Sequence, residues 1–275
     1  MKRKTVAQEI CCEGIGLHKG LPVTMRLIPR ESDGILFRRA DLEPGKNEIK
    51  LSLANTFDLT RGTNIKNEEG AAVYTIEHFL SALAAAEISD LMVELDGNEL
   101  PIGDGSTRHF LELFRRAGIR ELDAEARDLV INTPVWLQKG DKTLVILPYE
   151  GYKITYAIRF EHAFLKSQLA EFEITPETYE KEIASARTFG FDYEVAYLKK
   201  NNLALGGSLE NAVVITETGV LNPEGLRWPD EFVRHKMLDI IGDLKVLNRP
   251  IKGHVIAVKA GHELDIAFAK LLENL

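Results

Sequence analysis

The sequence predicts an α+β protein of two domains, and three observations support this prediction. The chain has 275 residues, which is more than most single domains contain. Each half begins with short extended segments and ends with two principal helices, the pattern of an α+β domain. Between the halves, Arg120 to Asp128 (RELDAEARD) offers little that could be buried. We therefore place an N-terminal domain at residues 1–122 and a C-terminal domain at residues 129–275.

The composition is typical of a globular enzyme. Apolar residues make up 45% of the chain and charged residues 28%, and no apolar run reaches the roughly 18 residues of a membrane span. The net charge of −8 argues against a nucleic-acid binder, because phosphate neutralisation needs clustered Lys and Arg. Neither the start of the chain nor the adjacent Cys11 and Cys12 suggests secretion, so we expect a cytoplasmic protein.

The N-terminal half begins with strands and turns. Gly14 to Gly20 (GIGLHKG) predicts a turn between two extended pieces, with His18 as a structural or rim residue, and Gly34 to Arg38 predicts a short strand. The polar, turn-rich segment from Ala54 to Glu69 predicts a loop. Ala72 to Glu87 (AVYTIEHFLSALAAAE) predicts a helix, because it is rich in Ala and Leu with apolar residues recurring on one face.

A strand and a second helix complete this half. Leu91 to Leu95 predicts the strand, and the turn that follows it contains Pro101 and two glycines. Ser106 or Thr107 is suited to cap a helix that runs to about Ala117. The half therefore ends with its second principal helix.

The C-terminal half has the same order of elements. Three extended apolar segments predict a second sheet: Leu129 to Ile131, Leu144 to Leu147 and Tyr152 to Phe160. Pro176 to Ala186 predicts a helix with proline at its start, and a second helix runs to about Lys200. Asn201 to Ser208 predicts a loop. Gly253 to His262 predicts a strand that ends on a histidine, and the last helix is expected from about Glu263.

The helix predicted from Glu231 to Leu247 (EFVRHKMLDIIGDLKVL) carries the most distinctive polar residues. His235, Asp239 and Asp243 recur at i, i+4 spacing and therefore line one face. The apolar residues fall within an arc of roughly 120° elsewhere on the helix: Val233, Met237, Ile240, Ile241, Leu244 and Leu247. The polar face is compatible with a solvated surface, or with a metal and proton-transfer site if other segments supply partners.

A metal site is the first function that these residues suggest. Zinc hydrolases commonly use three protein ligands and leave the fourth position to water. His78, His235 and Asp239 satisfy that count, with two ligands from one helical turn and the third from another helix. Taken alone, His78 is equally compatible with a buried structural histidine.

Hydrolysis would need further groups around such a metal. Glu77, beside the candidate ligand His78, could serve as the base for a metal-activated water. His262 is a candidate acid for a leaving amine, and Asp243 could orient its imidazolium. Lys236 or the hydroxyl of Thr188 could stabilise an oxyanion, and the residues alone do not choose between them.

The sequence resembles one family over nearly its whole length, the bacterial UDP-3-O-acyl-N-acetylglucosamine deacetylases, which are zinc amidases of lipid A synthesis. The GIGLHKG segment and seven further segments carry the resemblance, in order along the chain: TIEHFLSAL (Thr75 to Leu83), NELPIGDGS (Asn98 to Ser106), SARTFGF (Ser185 to Phe191), GGSLENAVV (Gly206 to Val214), LNPEGLR (Leu221 to Arg227), FVRHKMLDIIGDL (Phe232 to Leu244) and GH (Gly261-His262). So many ordered matches are more specific than any single motif.

The resemblance implies removal of an N-acetyl group as acetate, and two similar α+β domains with the active site between them. The implied roles are zinc ligation by His78, His235 and Asp239, general base for Glu77, carbonyl polarisation and oxyanion binding by Lys236 and Thr188, and acid with orienting carboxylate for His262 and Asp243. A set of two histidines and one aspartate also accepts Fe2+, so the metal bound in cells depends on which ion is available.

The resemblance also implies substrate contacts. Phe189 is expected near the sugar, Leu203 beside the passage for the fatty-acyl chain, Phe160 against the uracil ring and Lys259 near the diphosphate. The segment from Phe57 to Ile65 departs from the family pattern. The implied partner is a UDP-sugar lipid precursor, bound by a protein with no transmembrane segment that we expect to be monomeric.

Two rival functions remain open on the sequence. One is a metal amidohydrolase that acts on a different amide. The other is a nucleotide-sugar binding protein whose metal is structural, although the presence of both Glu77 and His262 argues against it because a binder needs neither.

Overall fold

The computed structural model describes residues 1–275 and shows an α+β protein. Its strands are β1 (Lys2–Val6), β2 (Ile10–Ile15), β3 (Pro22–Pro29), β4 (Ile35–Arg39), β5 (Glu48–Lys50), β6 (Thr56–Phe57), β7 (Asn64–Lys66), β8 (Ala72–Val73), β9 (Leu91–Leu95), β10 (Ile119–Glu125), β11 (Leu129–Val130), β12 (Val135–Lys139), β13 (Lys142–Leu147), β14 (Tyr152–Arg159), β15 (Ser167–Glu173), β16 (Phe189–Phe191), β17 (Val213–Thr216), β18 (Gly219–Val220) and β19 (Ile251–Val258). Its α-helices are α1 (Glu77–Ala85), α2 (Arg108–Ala117), α3 (Pro176–Thr178), α4 (Asp192–Lys200), α5 (Glu231–Lys245) and α6 (His262–Leu272). None of these helices combines the length and apolar character needed to cross a bilayer.

The two main sheets have the same topology. The N-terminal sheet has the strand order β2-β3-β9-β4-β5, and the C-terminal sheet has the order β12-β13-β19-β14-β15, with β11 paired to β19. In each sheet the central strand runs antiparallel to one neighbour, β3 or β13, and parallel to the other, β4 or β14. The two halves are therefore similar in fold, although no repeat is evident in the sequence.

The principal helices lie between the two sheets. Phe79 of α1 packs edge-on against Phe37 of β4 with ring centroids 6.3 Å apart, while α5 contacts β14 and β15 and also packs along α1. The two backbones touch at Gly242, where a Cβ atom would come within 2.0 Å of the Glu77 carbonyl oxygen. A single cluster of 57 buried side chains spans both halves, so the two sheets share one continuous core.

The central helix confirms the prediction, since α5 covers Glu231–Lys245. Its apolar arc is buried, and His235, Asp239 and Asp243 are buried as well. The solvated alternative for the polar face is therefore wrong. The helix uses its apolar side to pack against its own sheet and its polar side to meet the N-terminal half.

Several predicted boundaries need correction. The helix predicted from Ala72 begins at Glu77 instead, because Ala72–Val73 pairs with β7 and Thr75 has a left-handed backbone with φ of 56°. The segment predicted as a loop from Ala54 to Glu69 contains β6 and β7. The last strand ends at Val258, and His262 is the first residue of α6 rather than the end of a strand.

Two other segments differ in detail. The helix predicted from Pro176 is a short α-helical segment that continues as a π-helix at Tyr179–Ile183. Thr107 holds the N-cap position of α2, but its hydroxyl donates to the Ala184 carbonyl at 3.0 Å instead of capping the helix. Strand β10 pairs with β1 and runs across residue 122, so the exact domain boundary stays a prediction.

Candidate metal centre and active-site cleft

The predicted metal ligands come together at the contact between α1 and α5. His78, His235 and Asp239 present ligand atoms that all lie within 4.8 Å of one another. The Nε2 atoms of His78 and His235 are 3.7 Å and 3.4 Å from the same Asp239 oxygen, Oδ1. All three side chains are buried. One atom of each residue therefore converges on a common point.

The protonation states of this group fit a divalent metal. Nδ1 of His235 lies 3.1 Å from the Ala186 carbonyl oxygen, and a proton donated there leaves the Nε2 lone pair free for a metal. Burial lowers the pKa of His78 to about 3 and also lowers the pKa of His235. Neutral imidazoles are the form that binds metal.

The carboxylate of the group is held in its ionised form. Burial by itself favours a neutral Asp239, but nearby cationic groups, Lys236 above all, outweigh this effect and lower the pKa of Asp239. Lys236 Nζ donates to Asp239 Oδ2 at 2.6 Å, which leaves Oδ1 directed at the histidines. Two neutral histidines and one carboxylate match the donor set of a catalytic zinc site.

Glu77 is buried beside the first ligand. Its Oε2 accepts a hydrogen bond of 2.8 Å from the backbone N–H of Thr63. Gly62 lets this loop approach closely, since a Cβ atom there would lie 2.9 Å from Glu77 Oε1. Burial raises the pKa of Glu77 to about 7, and a carboxyl group that titrates near neutrality is suited to general-base chemistry.

His262 is positioned on the other side by Asp243. Its Nδ1 atom is 2.8 Å from Asp243 Oδ2, and Asp243 Oδ1 accepts a hydrogen bond of 2.5 Å from the Thr63 hydroxyl. Burial opposes a charged imidazole, but the charge and hydrogen bond of Asp243 raise the pKa of His262 to about 10. The ring is therefore a proton donor at neutral pH.

Thr188 reaches the site through a tight backbone contact between loops. Its N–H donates to the Gly105 carbonyl at 2.8 Å, and its own carbonyl accepts from Val213 at 2.8 Å. Gly105 has a φ of 81°, and a Cβ atom there would lie 2.1 Å from the Asn211 carbonyl oxygen. Only glycine fits this approach, which explains the last glycine of the NELPIGDGS segment.

These groups line one cleft of about 1280 Å³ that is built from both halves of the chain. Apolar side chains from α4 and the segments around β17 form one part of its wall: Val195, Leu198, Leu209, Val214 and Leu221. Phe160 and Phe189 also line it, with ring centroids 6.1 Å apart. The cleft therefore combines a polar centre with aromatic and aliphatic walls.

Most of the predicted site residues face this cleft. The lining includes Glu77, His78, Thr188, Phe160, Phe189, His235, Lys236, Asp239 and His262, and Asp243 lies directly behind His262. Leu203 does not line it, although its neighbour Ala204 does. Lys259 lies outside as well, since it follows the end of β19 and its ammonium group pairs with Asp141.

Three other residues at the site were not assigned a catalytic role from the sequence, which predicted His18 as a structural or rim residue. His18 lines the cleft, and its Nδ1 atom accepts a hydrogen bond of 3.3 Å from the Ala204 backbone. Thr63 contacts both Glu77 and Asp243, and Asp265 of α6 is a buried carboxyl group beside Asp243. The segment around Thr63 has no regular spacing of apolar residues. The only signal in the sequence for the position of Thr63 is the run of polar, turn-forming residues around it.

The fold and the cleft define a class of protein: an α+β protein of two similar halves with a buried His2Asp group of metal-site type between them. Within that class, the model of the UDP-3-O-acyl N-acetylglycosamine deacetylase family matches residues 3–274 of the chain. The chain belongs to this family.

Individual relatives agree with the family match. UDP-3-O-acyl-N-acetylglucosamine deacetylase of Syntrophotalea carbinolica is 44% identical over 274 residues, which cover 99% of this chain and 88% of the relative. The protein of the same name from Syntrophus aciditrophicus is 42% identical over 271 residues, covering 98% and 85%. That of Neisseria meningitidis serogroup B is 43% identical over 274 residues, covering 98% and 89%. The similarity therefore spans both halves of the fold.

Proposed function

We propose that this deacetylase depends on zinc and hydrolyses the N-acetyl group of UDP-3-O-acyl-N-acetylglucosamine, releasing acetate early in lipid A biosynthesis. The observation that carries the proposal is the convergence of His78, His235 and Asp239 between Glu77 and His262 in one cleft. The names of the relatives support the substrate. A cytoplasmic location and a monomeric state stay predictions from the sequence.

His78, His235 and Asp239 would hold the metal. When bound, zinc supplies a Lewis acid for the acetyl carbonyl and lowers the pKa of a water molecule. The same donor set accepts Fe2+. Two of these ligands are oriented by the protein, since His235 Nδ1 faces the Ala186 carbonyl and Lys236 Nζ donates to Asp239 Oδ2.

The protein groups supply the proton transfers. Glu77 accepts a proton from the water as its oxygen adds to the acetyl carbon. The C–N bond then breaks, and His262 donates its proton to the departing amine nitrogen while Asp243 keeps the imidazolium in place. Thr188 and Lys236 stabilise the charge that develops on the former carbonyl oxygen, with Lys236 acting through its ammonium group.

The walls of the cleft suggest how the substrate binds. Phe160 and Phe189 offer aromatic faces for the uracil and the sugar. The acyl chain would contact Leu198 and Leu209 in place of Leu203, which lies outside the lining.

A diphosphate bound in the cleft would need cations that line it, and Lys259 does not line it. Lys139 and Lys142 line the cleft, where Lys139 Nζ donates to Glu263 Oε1 at 2.7 Å, whereas Lys259 lies outside the lining and is paired with Asp141. We assign the neutralisation of the diphosphate to Lys139 and Lys142, because charge-assisted contacts to phosphate need cations that reach the cleft.

Metal analysis combined with acetate release tests this function. His78→Ala and Asp239→Ala should each lose both zinc and activity, whereas Glu77→Gln should keep zinc and lose about 10²- to 10⁴-fold in rate. An active, zinc-free Asp239→Ala protein would overturn the proposal. Equal rates on the UDP-sugar and on simple N-acetyl compounds would indicate a different amide substrate, and tight UDP binding without turnover would indicate a binding protein.

A further inference from the structure

Thr63 hydrogen-bonds to two separate parts of the proposed catalytic machinery. Its backbone N–H donates to Glu77 Oε2 at 2.8 Å, and its side-chain hydroxyl donates to Asp243 Oδ1 at 2.5 Å. Its carbonyl accepts from the N–H of Ile76 at 2.9 Å. The residue is fully buried, with 0% of its surface exposed. Every polar group of Thr63 is thus committed to a fixed partner.

These contacts join elements that are distant along the chain. Thr63 precedes β7 in the N-terminal half, Glu77 begins α1, and Asp243 lies in the last turns of α5 in the C-terminal half. The base and the acid therefore come from different halves of the protein. The distance between the base and the acid depends on how α1 and α5 pack. Thr63 connects the two helices close to these groups, because it hydrogen-bonds to one residue of each helix.

The hydroxyl of Thr63 also fixes the rotation of the Asp243 carboxylate. Asp243 Oδ2 is occupied by His262 Nδ1 at 2.8 Å, and Oδ1 by Thr63. The buried carboxyl group of Asp265 is the other acidic neighbour of Asp243. Without the hydroxyl, Oδ1 would lose its hydrogen bond to Thr63, and the orientation of the carboxylate would depend on the bond between Oδ2 and His262.

We propose that Thr63 is a positioning residue for deacetylation, which holds Glu77 through its backbone N–H and Asp243, and thereby His262, through its hydroxyl. The proposal rests on the proposed function for the roles of Glu77 and His262. Thr63 does not line the cleft, so it acts through these residues and not on the substrate.

The hydroxyl can be removed without disturbing the other contacts. Thr63→Val keeps the branched shape and the backbone N–H, so it breaks only the hydrogen bond to Asp243. We expect kcat to fall by about 10- to 100-fold, as small misplacements of a catalytic group do, while KM stays unchanged. Thr63→Ser, which restores a hydroxyl, should recover most of the lost rate.

A matched control is available in the same region. The hydroxyl of Thr56 donates to the Leu53 carbonyl at 2.8 Å and lies outside the cleft lining. Thr56→Val should therefore lose one hydroxyl hydrogen bond with no change in kcat. If Thr63→Val fails to fold, Thr63→Ala provides the same loss of the hydroxyl with less bulk.

A measurement independent of turnover separates this proposal from the proposed function. In the zinc-loaded protein with 15N-labelled histidine, NMR reports the Nδ1–H of His262 in its bond to Asp243. That resonance should shift in Thr63→Val and return in Thr63→Ser, whether or not acetate is released. Wild-type kcat together with an unshifted resonance in the Val or Ala variant would overturn the role of Thr63, as would equal losses in the Val and Ser variants.

Discussion

Nδ1 of His262 lies 2.8 Å from Oδ2 of Asp243, which joins the first residue of α6 to the last turns of α5. Asp243 is completely buried, so its charge acts on the imidazole with little screening by solvent. The contact raises the pKa of His262 to about 10 despite its burial. The pair therefore keeps a proton available for a leaving group throughout the neutral range.

Replacing the carboxylate of this pair should move the basic limb of the pH profile. The proposed acid works when protonated, so wild-type kcat/KM should decline only as the pH rises through about 10. Asp243→Asn removes the charge that favours the imidazolium, and burial then lowers the pKa of His262. The basic limb should move to lower pH in assays of acetate release, and Asp123→Asn at an exposed site should leave it in place. An unmoved limb in Asp243→Asn would show that His262 is not the acid.

The sequence predicted the group of His78, His235 and Asp239 because its residues lie on strongly periodic elements. The i, i+4 spacing of His235 and Asp239 on a helix with a clear apolar arc fixed which residues share a face. Whether that face is exposed to solvent or buried could not be decided from the sequence of α5 alone, because its burial depends on the packing of α5 against α1. The resemblance to a family supplied the missing partners.

Residues placed by loops and strand ends were harder to predict. Lys259 follows β19 with a left-handed backbone, φ of 54°, and pairs with Asp141 outside the cleft. Thr63 directly precedes β7, which pairs with β8. Strand β8 was not predicted, because the residues from Ala72 onward were assigned to a helix. In both cases a tertiary contact decides the position of the side chain, and no local period records it.

Arg187, from the SARTFGF segment, should prove essential for stability. It is 1% exposed, and its Nε donates at 2.8 Å to Glu231, which is 0% exposed. Arg187→Met should lower the free energy of unfolding by about 3–5 kcal/mol, because Glu231 is left as an unpaired buried charge. Urea denaturation would measure this loss.

The reason for that loss can be isolated with a double mutant. Adding Glu231→Gln to Arg187→Met should recover part of the stability, since the buried charge is then gone. Lys46→Met, which breaks an exposed ion pair with Glu43, should leave the unfolding midpoint unchanged. Failure of Glu231→Gln to recover any stability would mean that lost packing, not the unpaired charge, dominates.

Gly242 should not tolerate alanine despite its position inside α5. Glycine within a helix usually costs about 0.5–1 kcal/mol relative to alanine, so the substitution would ordinarily stabilise the protein. Here the added Cβ would meet the Glu77 carbonyl oxygen at 2.0 Å, and α1 and α5 would have to separate. We expect Gly242→Ala to destabilise the fold by about 1–3 kcal/mol and to displace Glu77.

The matched control for Gly242 is Gly219, where a Cβ atom would meet nothing within 4 Å. Gly219→Ala should leave both thermal stability and zinc content unchanged. A Gly242→Ala protein that is as stable as the wild type would show that the two helices can move apart at little cost.

Asp265 should keep its proton to a higher pH in the folded protein than in the unfolded chain. It is completely buried on α6, and neither carboxyl oxygen has a hydrogen-bond donor among the protein groups. Burial, reinforced by the charge of Asp243, raises its pKa well above the ordinary value, even though Lys236 and His262 favour ionisation. In the unfolded chain the same group ionises near its usual pKa of about 3.9.

This difference makes the effect of Asp265→Asn depend on pH in a known direction. Above the pKa of the unfolded chain, the wild-type unfolded state gives up a proton that the folded state keeps, so rising pH favours unfolding by up to about 1.4 kcal/mol per pH unit until the folded pKa is reached. Asparagine has no such proton. The stability of Asp265→Asn relative to the wild type should therefore increase in urea denaturation as the pH rises above the unfolded pKa of about 3.9, whereas exposed Asp123→Asn should show no such trend. A constant difference across this range would mean that Asp265 ionises normally within the fold.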